Sequence, residues 1–139
     1  MRIIFVDSSF YIALVHDRDA DHAVALRLGS ELATERVRYV TSHAVILEIL
    51  AFFSRLGPRL RERAALLAER LLTSAAVDVV ALDDPNFRAG LNLYRERLDK
   101  RYSLADCLAM VICRERGVAE ILSTDRDFEA EGFTILLRR

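Results

Sequence analysis

Residues 103–127, SLADCLAMVICRERGVAEILSTDRD, read as a helix, a glycine stop and a strand. Leu104, Leu108, Met110, Val111 and Ile112 give the helix its apolar positions, Gly117 closes it, and Ile121 and Leu122 make the short apolar run of a covered strand. Two carboxylates punctuate the unit: Asp106 falls in the first turn of the helix and Asp125 just past the strand. An acid at the rim of a core is costly to desolvate unless something pairs with it. The placement of these two therefore calls for a partner.

The rest of the chain repeats the pattern. Residues 3–6 form a continuous apolar run, as expected of a central parallel strand covered on both faces, and end at Asp7-Ser8-Ser9, a helix start followed by Phe10, Ile12, Ala13 and Leu14. A cap at residues 19–21 opens a helix running to about Glu35, and residues 37–40 are a second strand. Thr41 and Ser42 cap a helix carrying Glu48, which closes near Gly57 with Pro58 beyond. A helix over residues 59–74, a strand over 77–82 and a helix from Asp83-Asp84-Pro85 to Leu98 follow. After helix 104–116 and strand 120–123, a single turn over 126–131 leads to a last strand, 134–137. Helices between strands imply right-handed crossovers, so the expected fold is α/β: a three-layer α/β/α sandwich with a central, mainly parallel sheet of about five strands. No repeat or linker divides it, and a single domain over residues 1–139 is expected.

Composition narrows the function classes. The 53% hydrophobic share excludes a disordered chain, and 20 basic against 21 acidic residues give no net attraction to nucleic acid, so any such binding needs a local patch. Cys107 and Cys113 lie about 240° apart around one helix and read as core residues. His16, His22 and His43 are scattered and read as surface or packing residues. No apolar run approaches a membrane span and the N-terminus lacks a signal-peptide layout, so a cytoplasmic location with no membrane partner is expected.

Each acid has two readings. Asp7 either caps the following helix or, with Ser8 and Ser9 capping, is free for another task. Asp106 completes an S-x-x-D capping box with Ser103 or faces other charges. Asp125 and Asp127 serve as turn acids or as ligands. Glu48, amid the apolar run 44–53, snorkels at the helix edge or faces other charges. The fold favours the second set jointly, because Asp7 and Asp125 both follow parallel strands, at the carboxyl edge where such sheets bind ligands. Carboxylates gathered there repel one another unless a cation holds them ionised, and oxygen-only ligation suits Mg²⁺ or Mn²⁺ rather than zinc.

The order VDSSFYIAL at residues 6–14, Ile46-Leu47-Glu48, SLADCLAMVICRERG at 103–117 and ILSTDRDFEAEGF at 121–133 resembles the PIN-domain ribonucleases, most closely the VapC-type toxins of prokaryotic toxin–antitoxin pairs. The resemblance spans the chain. It implies an acidic quartet of Asp7, Glu48, Asp106 and Asp125, with Asp127 an occasional extra acid and Ser8, Ser9 and Thr124 as hydroxyl residues beside it. Asp7, Asp106 and Asp125 would hold Mg²⁺ or Mn²⁺ while Glu48 orients the ligands or the attacking water. It further implies endonucleolytic cleavage of RNA to a 5′-phosphate and a 3′-hydroxyl, a small antitoxin protein as partner, and a homodimer. Arg55, Arg59, Arg61 and Arg63 are candidate phosphate contacts, or else a solvated helix face partnered by Glu62 and Glu69. Phe52, Phe53 and Leu56 line a partner surface or belong to the core. Ser9 stands where a dehalogenase-type phosphatase needs a second Asp, the only Lys, Lys100, sits in a loop where a receiver domain would not use it, and no glycine-rich phosphate loop is present. The alternative from another class is a catalytically silent PIN-like scaffold that binds protein or RNA.

Overall fold

The computed structural model describes residues 1–137; the last two residues of the expected 1–139 domain lie outside them. Strand β1 (Arg2–Val6) is central, with helices α1 (Ser8–Val15) and α2 (His22–Leu32) leading to β2 (Val37–Ser42). Helices α3 (His43–Phe53) and α4 (Pro58–Thr73) lead to β3 (Val77–Val80), and α5 (Asp84–Glu96) and α6 (Leu104–Arg116) lead to β4 (Glu120–Leu122). A four-residue α7 (Asp127–Ala130) precedes β5 (Thr134–Ile135). The strand order is β3-β2-β1-β4-β5, and every pairing is parallel.

That order determines where the helices go. The first two crossovers step one way along the sheet and the last two step the other way. With right-handed connections, α1 to α4 therefore cover one face and α5 to α7 the other. The contacts agree: α1 packs on α2, α3 and α4, whereas α5 packs on α6. The α5–α6 contact is close, since a Cβ at Gly90 would lie 2.6 Å from Leu108 Cδ2. Between the layers Phe5, Ile4, Ile121, Met110, Phe53 and Phe128 are fully buried. The reversal falls between β1 and β4, and there the carboxyl ends of the strands open a crevice.

Element boundaries depart from the sequence expectation where a side chain takes over a backbone partner. Strand β2 continues to Ser42 because buried Thr41 donates its hydroxyl to Val6 O at 2.9 Å, which leaves Ser42 as the sole cap of α3, accepting from Val45 N. Strand β3 stops at Val80 rather than residue 82, since the Leu82 N–H donates to His43 Nδ1. Helix α1 begins at Ser8, before the first apolar residue of its pattern. Strands β4 and β5 are shorter than expected, ending at Leu122 and Ile135. Among the described residues no helix is long and apolar enough to cross a membrane.

Other side-chain expectations resolve here. Both cysteines are buried. His16 packs its ring against Phe52 and Phe53, and His22 Nδ1 lies 2.6 Å from Ala13 O. Phe53 is core, while Phe52 and Leu56 are exposed. Arg61 donates to Ser54 O, and among the described residues none of Arg55, Arg59, Arg61 and Arg63 pairs with Glu62 or Glu69. The solvated face of the alternative reading is present, since Arg55, Arg59, Arg61, Glu62 and Glu69 are exposed, but without the expected ion pairs among the described residues.

Candidate functional site

Four elements deliver acids to the crevice. Asp7 follows β1 directly, and its N–H donates to Leu122 O at 3.1 Å, which locks it beside the end of β4. It occupies the N-cap position of α1 yet makes no side-chain cap hydrogen bond. The residue is 8% exposed, and Ser123 donates its hydroxyl to Oδ2 at 2.7 Å. Glu48 projects from the second turn of α3. Helix α6 runs back toward the amino end of β4, so its N-terminus with Asp106 sits at the carboxyl edge, and α6 contacts α3.

Asp106 fills both of its sequence readings at once. The capping box is complete: Asp106 N donates to Ser103 Oγ at 3.0 Å and Ser103 N donates to Asp106 Oδ2 at 2.9 Å. One carboxylate oxygen is thus engaged, and the group still faces Asp125 and Asp127. Asp125 likewise accepts from Asp127 N at 2.9 Å, an Asx turn that orients it. One carboxylate oxygen each from Asp106, Asp125 and Asp127 lie within 4.8 Å of one another. Asp127, ranked by the sequence as an extra acid, belongs to this trio; Asp7 and Glu48 lie outside it but within electrostatic reach.

The electrostatics follow from this proximity. Burial pushes Asp7 up to about 6, with Asp106 and Asp125 adding repulsion against the Ser123 hydrogen bond. Glu48 is pushed up to about 7, first by burial and then by Asp7 and Asp106, while the Ser8 hydroxyl pulls the other way. Asp106 and Asp125 are also raised above the ordinary carboxylate range, in both cases mainly by burial. Among the described residues no Arg, Lys or His forms an ion pair with Asp7, Glu48, Asp106, Asp125 or Asp127. Among the described residues the pocket is a negative well without an ion-pair partner, and its acids offer oxygen donors, which fits a hard divalent cation better than zinc.

Sequence reasoning missed Ser123. It is fully buried and acts as a hub: it donates to Asp7, accepts from Asp125 N at 3.0 Å and accepts from the Ser9 hydroxyl at 3.3 Å. The signal was available, since a hydroxyl ends the apolar run Ile121-Leu122 two residues before Asp125. Of the hydroxyl residues that were anticipated, Ser9 joins this network and Thr124 contributes its backbone N–H to Ser9 Oγ.

Comparison with known proteins finds relatives of this sequence and fold. The chain is 33% identical over 132 residues to the 23S rRNA-specific endonuclease VapC20 of Mycobacterium tuberculosis, covering 94% of this chain and 95% of the relative. The crystal structure of that protein, a sarcin-ricin loop cleaving toxin, superposes with a TM-score of 0.81 at 29% identity over 94% of this chain and 96% of the other. The same fold recurs in VapBC2 of Rickettsia felis, with a TM-score of 0.64 at 12% identity over 96% of this chain and 97% of the other. It recurs again in FitAcB of Neisseria gonorrhoeae, with a TM-score of 0.63 at 16% identity over 96% of both. The PIN domain model matches residues 4–133, from β1 to the approach of β5. With nearly the whole chain inside that match, and its acids standing at the crevice the fold provides, this protein belongs to the PIN-domain family.

Proposed function

We propose that this chain is a metal-dependent endoribonuclease and the toxin of a type II toxin–antitoxin pair, all within one domain over residues 1–139. The observation that carries the reading is the convergence of acids from four separate elements into one pocket where, among the described residues, no basic side chain forms an ion pair with them. Asp106, Asp125 and Asp127 would hold Mg²⁺ or Mn²⁺, with Asp7 reaching it directly or through water. A divalent cation bound there lowers the pKa of a ligated water and offsets charge on the scissile phosphate.

The side chains around it divide the remaining work. Ser123 fixes the rotamer of Asp7 through the 2.7 Å hydrogen bond and holds the Asp125 backbone in register. Glu48, held near neutrality by burial and its acidic neighbours, is poised to orient a water and take its proton at the free carboxylate oxygen. Phosphate contacts fall to arginines outside the pocket, because the pocket itself repels RNA.

Likeness to a 23S rRNA-specific endonuclease that is also a toxin supports RNA as the substrate and a small antitoxin as the partner, with a cytoplasmic location and a second copy of the chain as further expectations. The test is cleavage of purified RNA with Mg²⁺ or Mn²⁺, lost on chelation and in Asp106→Asn and Asp125→Asn. Wild type that binds RNA as the variants do and cuts none would make the protein a scaffold. Growth arrest on expression, relieved by Asp106→Asn, tests the toxin role separately.

A further inference from the structure

A further withdrawn acid lies a few residues from the Asp125–Asp127 turn and has the opposite character. Glu131 closes α7, and its side chain is 6% exposed. Arg97 holds it with Nε to Oε2 at 3.1 Å and Nη2 to Oε1 at 3.2 Å, Arg114 Nη2 donates to Oε1 at 2.8 Å, and the Tyr102 hydroxyl donates to Oε2 at 3.0 Å. These donors come from three segments: the end of α5, the residue preceding the α6 cap, and the last turns of α6. One carboxylate thus bridges three segments of the α5–α6 layer to the α7 corner.

Both sides of that bridge lead to the acidic trio within a few bonds. On one side Tyr102 directly precedes Ser103, whose N–H and hydroxyl hold Asp106 in the capping box. On the other, Glu131 N donates to Phe128 O at 3.2 Å, and Phe128 N donates to Asp125 O at 3.4 Å. Helix α7 is four residues long, too short to be stable by its own backbone hydrogen bonds. Its position, and that of the turn carrying Asp125 and Asp127, therefore depends on what ties it down. Phe128 supplies an apolar anchor beneath it. Glu131 supplies the only ion-paired tie, among the described residues, from this corner to α5 and α6.

We propose that Glu131 is a positioning residue: a buried carboxylate tether that fixes the Asp125–Asp127 turn against the N-terminus of α6 and so sets the spacing of the three ligand oxygens. Mg²⁺ demands ligand oxygens at about 2.1 Å in near-octahedral array, so two direct ligands stand no more than about 4.2 Å apart. The three oxygens lie within 4.8 Å of one another, so the ion must draw them into its shell, and a loosened turn makes that harder. The inference rests on the metal-dependent nuclease reading of the site.

The test compares Glu131→Gln with Asp78→Asn. Asp78 pairs with Arg38 and Arg116, the latter at the opposite end of α6 from Asp106, so it controls for loss of an ion pair alone. Mn²⁺ binding to the metal-free full chain is measured by titration calorimetry, beside the thermal midpoint and kcat and KM on RNA. Glu131→Gln is expected to weaken Mn²⁺ about tenfold, within the range for outer residues of a metal site, and to lower kcat with KM unchanged. Asp78→Asn keeps Mn²⁺ affinity within about twofold whatever its midpoint. Tyr102→Phe, which removes one donor and keeps the packing, shifts Mn²⁺ affinity in the same direction by about two- to threefold beside a modest fall in midpoint, and read against Asp78→Asn it decides the matter if Glu131→Gln fails to fold. Unchanged Mn²⁺ binding in the position-131 and position-102 variants, or an equal loss in Asp78→Asn, overturns the tether and leaves the nuclease standing. A wild type that neither binds Mn²⁺ nor cuts RNA overturns both.

Discussion

In metal-free protein, Asp7→Asn should stabilise the fold. Asp7 is almost wholly buried and rises from 3.8 to about 6 on folding, so at neutral pH the folded state carries a carboxylate it would rather protonate. A folded pKa above the unfolded one means that the native state binds more protons, so stability is full below pH 3.8 and falls as pH rises through 6. A shift of about 2 units at roughly 1.4 kcal/mol each sets the loss at about 3 kcal/mol by pH 7.5 and about 0.5 kcal/mol at pH 4. Asparagine keeps an oxygen to accept from Ser123 and carries no charge. Urea unfolding in chelator should therefore find the variant about 3 kcal/mol more stable than wild type at pH 7.5, roughly 10 °C in midpoint, and nearly equal at pH 4. Saturating Mn²⁺ should narrow or reverse the difference, since wild type gains RT ln(1 + [L]/Kd) that the variant loses in part. A variant less stable than wild type in chelator at pH 7.5 would mean that Asp7 is neutralised within the protein, and the metal argument would fail.

Three further outcomes follow from the same geometry. The Glu48 carboxylate, followed by ¹³C NMR in metal-free protein, should titrate near pH 7 and move down in Asp7→Asn as one source of repulsion is removed; a midpoint in the ordinary range near 4.5 would place it outside the pocket. Ser123→Ala removes the donor to Asp7 and the acceptor for Asp125 N, so urea unfolding should show a loss of about 1–3 kcal/mol and the Asp7 midpoint should climb further. Gly90→Ala drives a methyl into Leu108, with an expected cost of about 1–3 kcal/mol in the same assay and no direct effect on the acids.

Most of the fold was legible because its signals are local. Gly117 at φ 65° ends α6 where expected, and the apolar run 3–6 is indeed the central strand. The errors fall where a side chain from a distant segment settles a boundary: Thr41 joins β2 through Val6 O, and His43 takes the N–H of Leu82, contacts that no window of sequence contains. The site was legible for a different reason. Asp7, Glu48, Asp106 and Asp125 each break an apolar pattern, so they stand out singly, and parallel topology sends strand ends and the α6 N-terminus to one edge. What stayed hidden were the residues that serve the acids: Ser123 looks like an ordinary strand terminator, and Glu131 like one more charge in a polar turn.

Glu131 and Glu48 show why the pocket asks for something from outside the chain. Both are glutamates withdrawn from solvent, yet Glu131 is held at about 2, first by Arg97, and Glu48 is driven to about 7. The difference does not come from a shortage of cations, since the chain carries 20 basic residues and brings two arginines and a tyrosine to Glu131. A fold able to satisfy one buried carboxylate so fully leaves Asp7, Glu48, Asp106 and Asp125 in a shared well with no ion-pair partner among the described residues. Stability alone would favour an arginine or an apolar side chain at any of these four positions. Charge that is left open at the carboxyl edge of the sheet, and held rigid by Ser123 and the capping box, is charge arranged for a cation that arrives from solution.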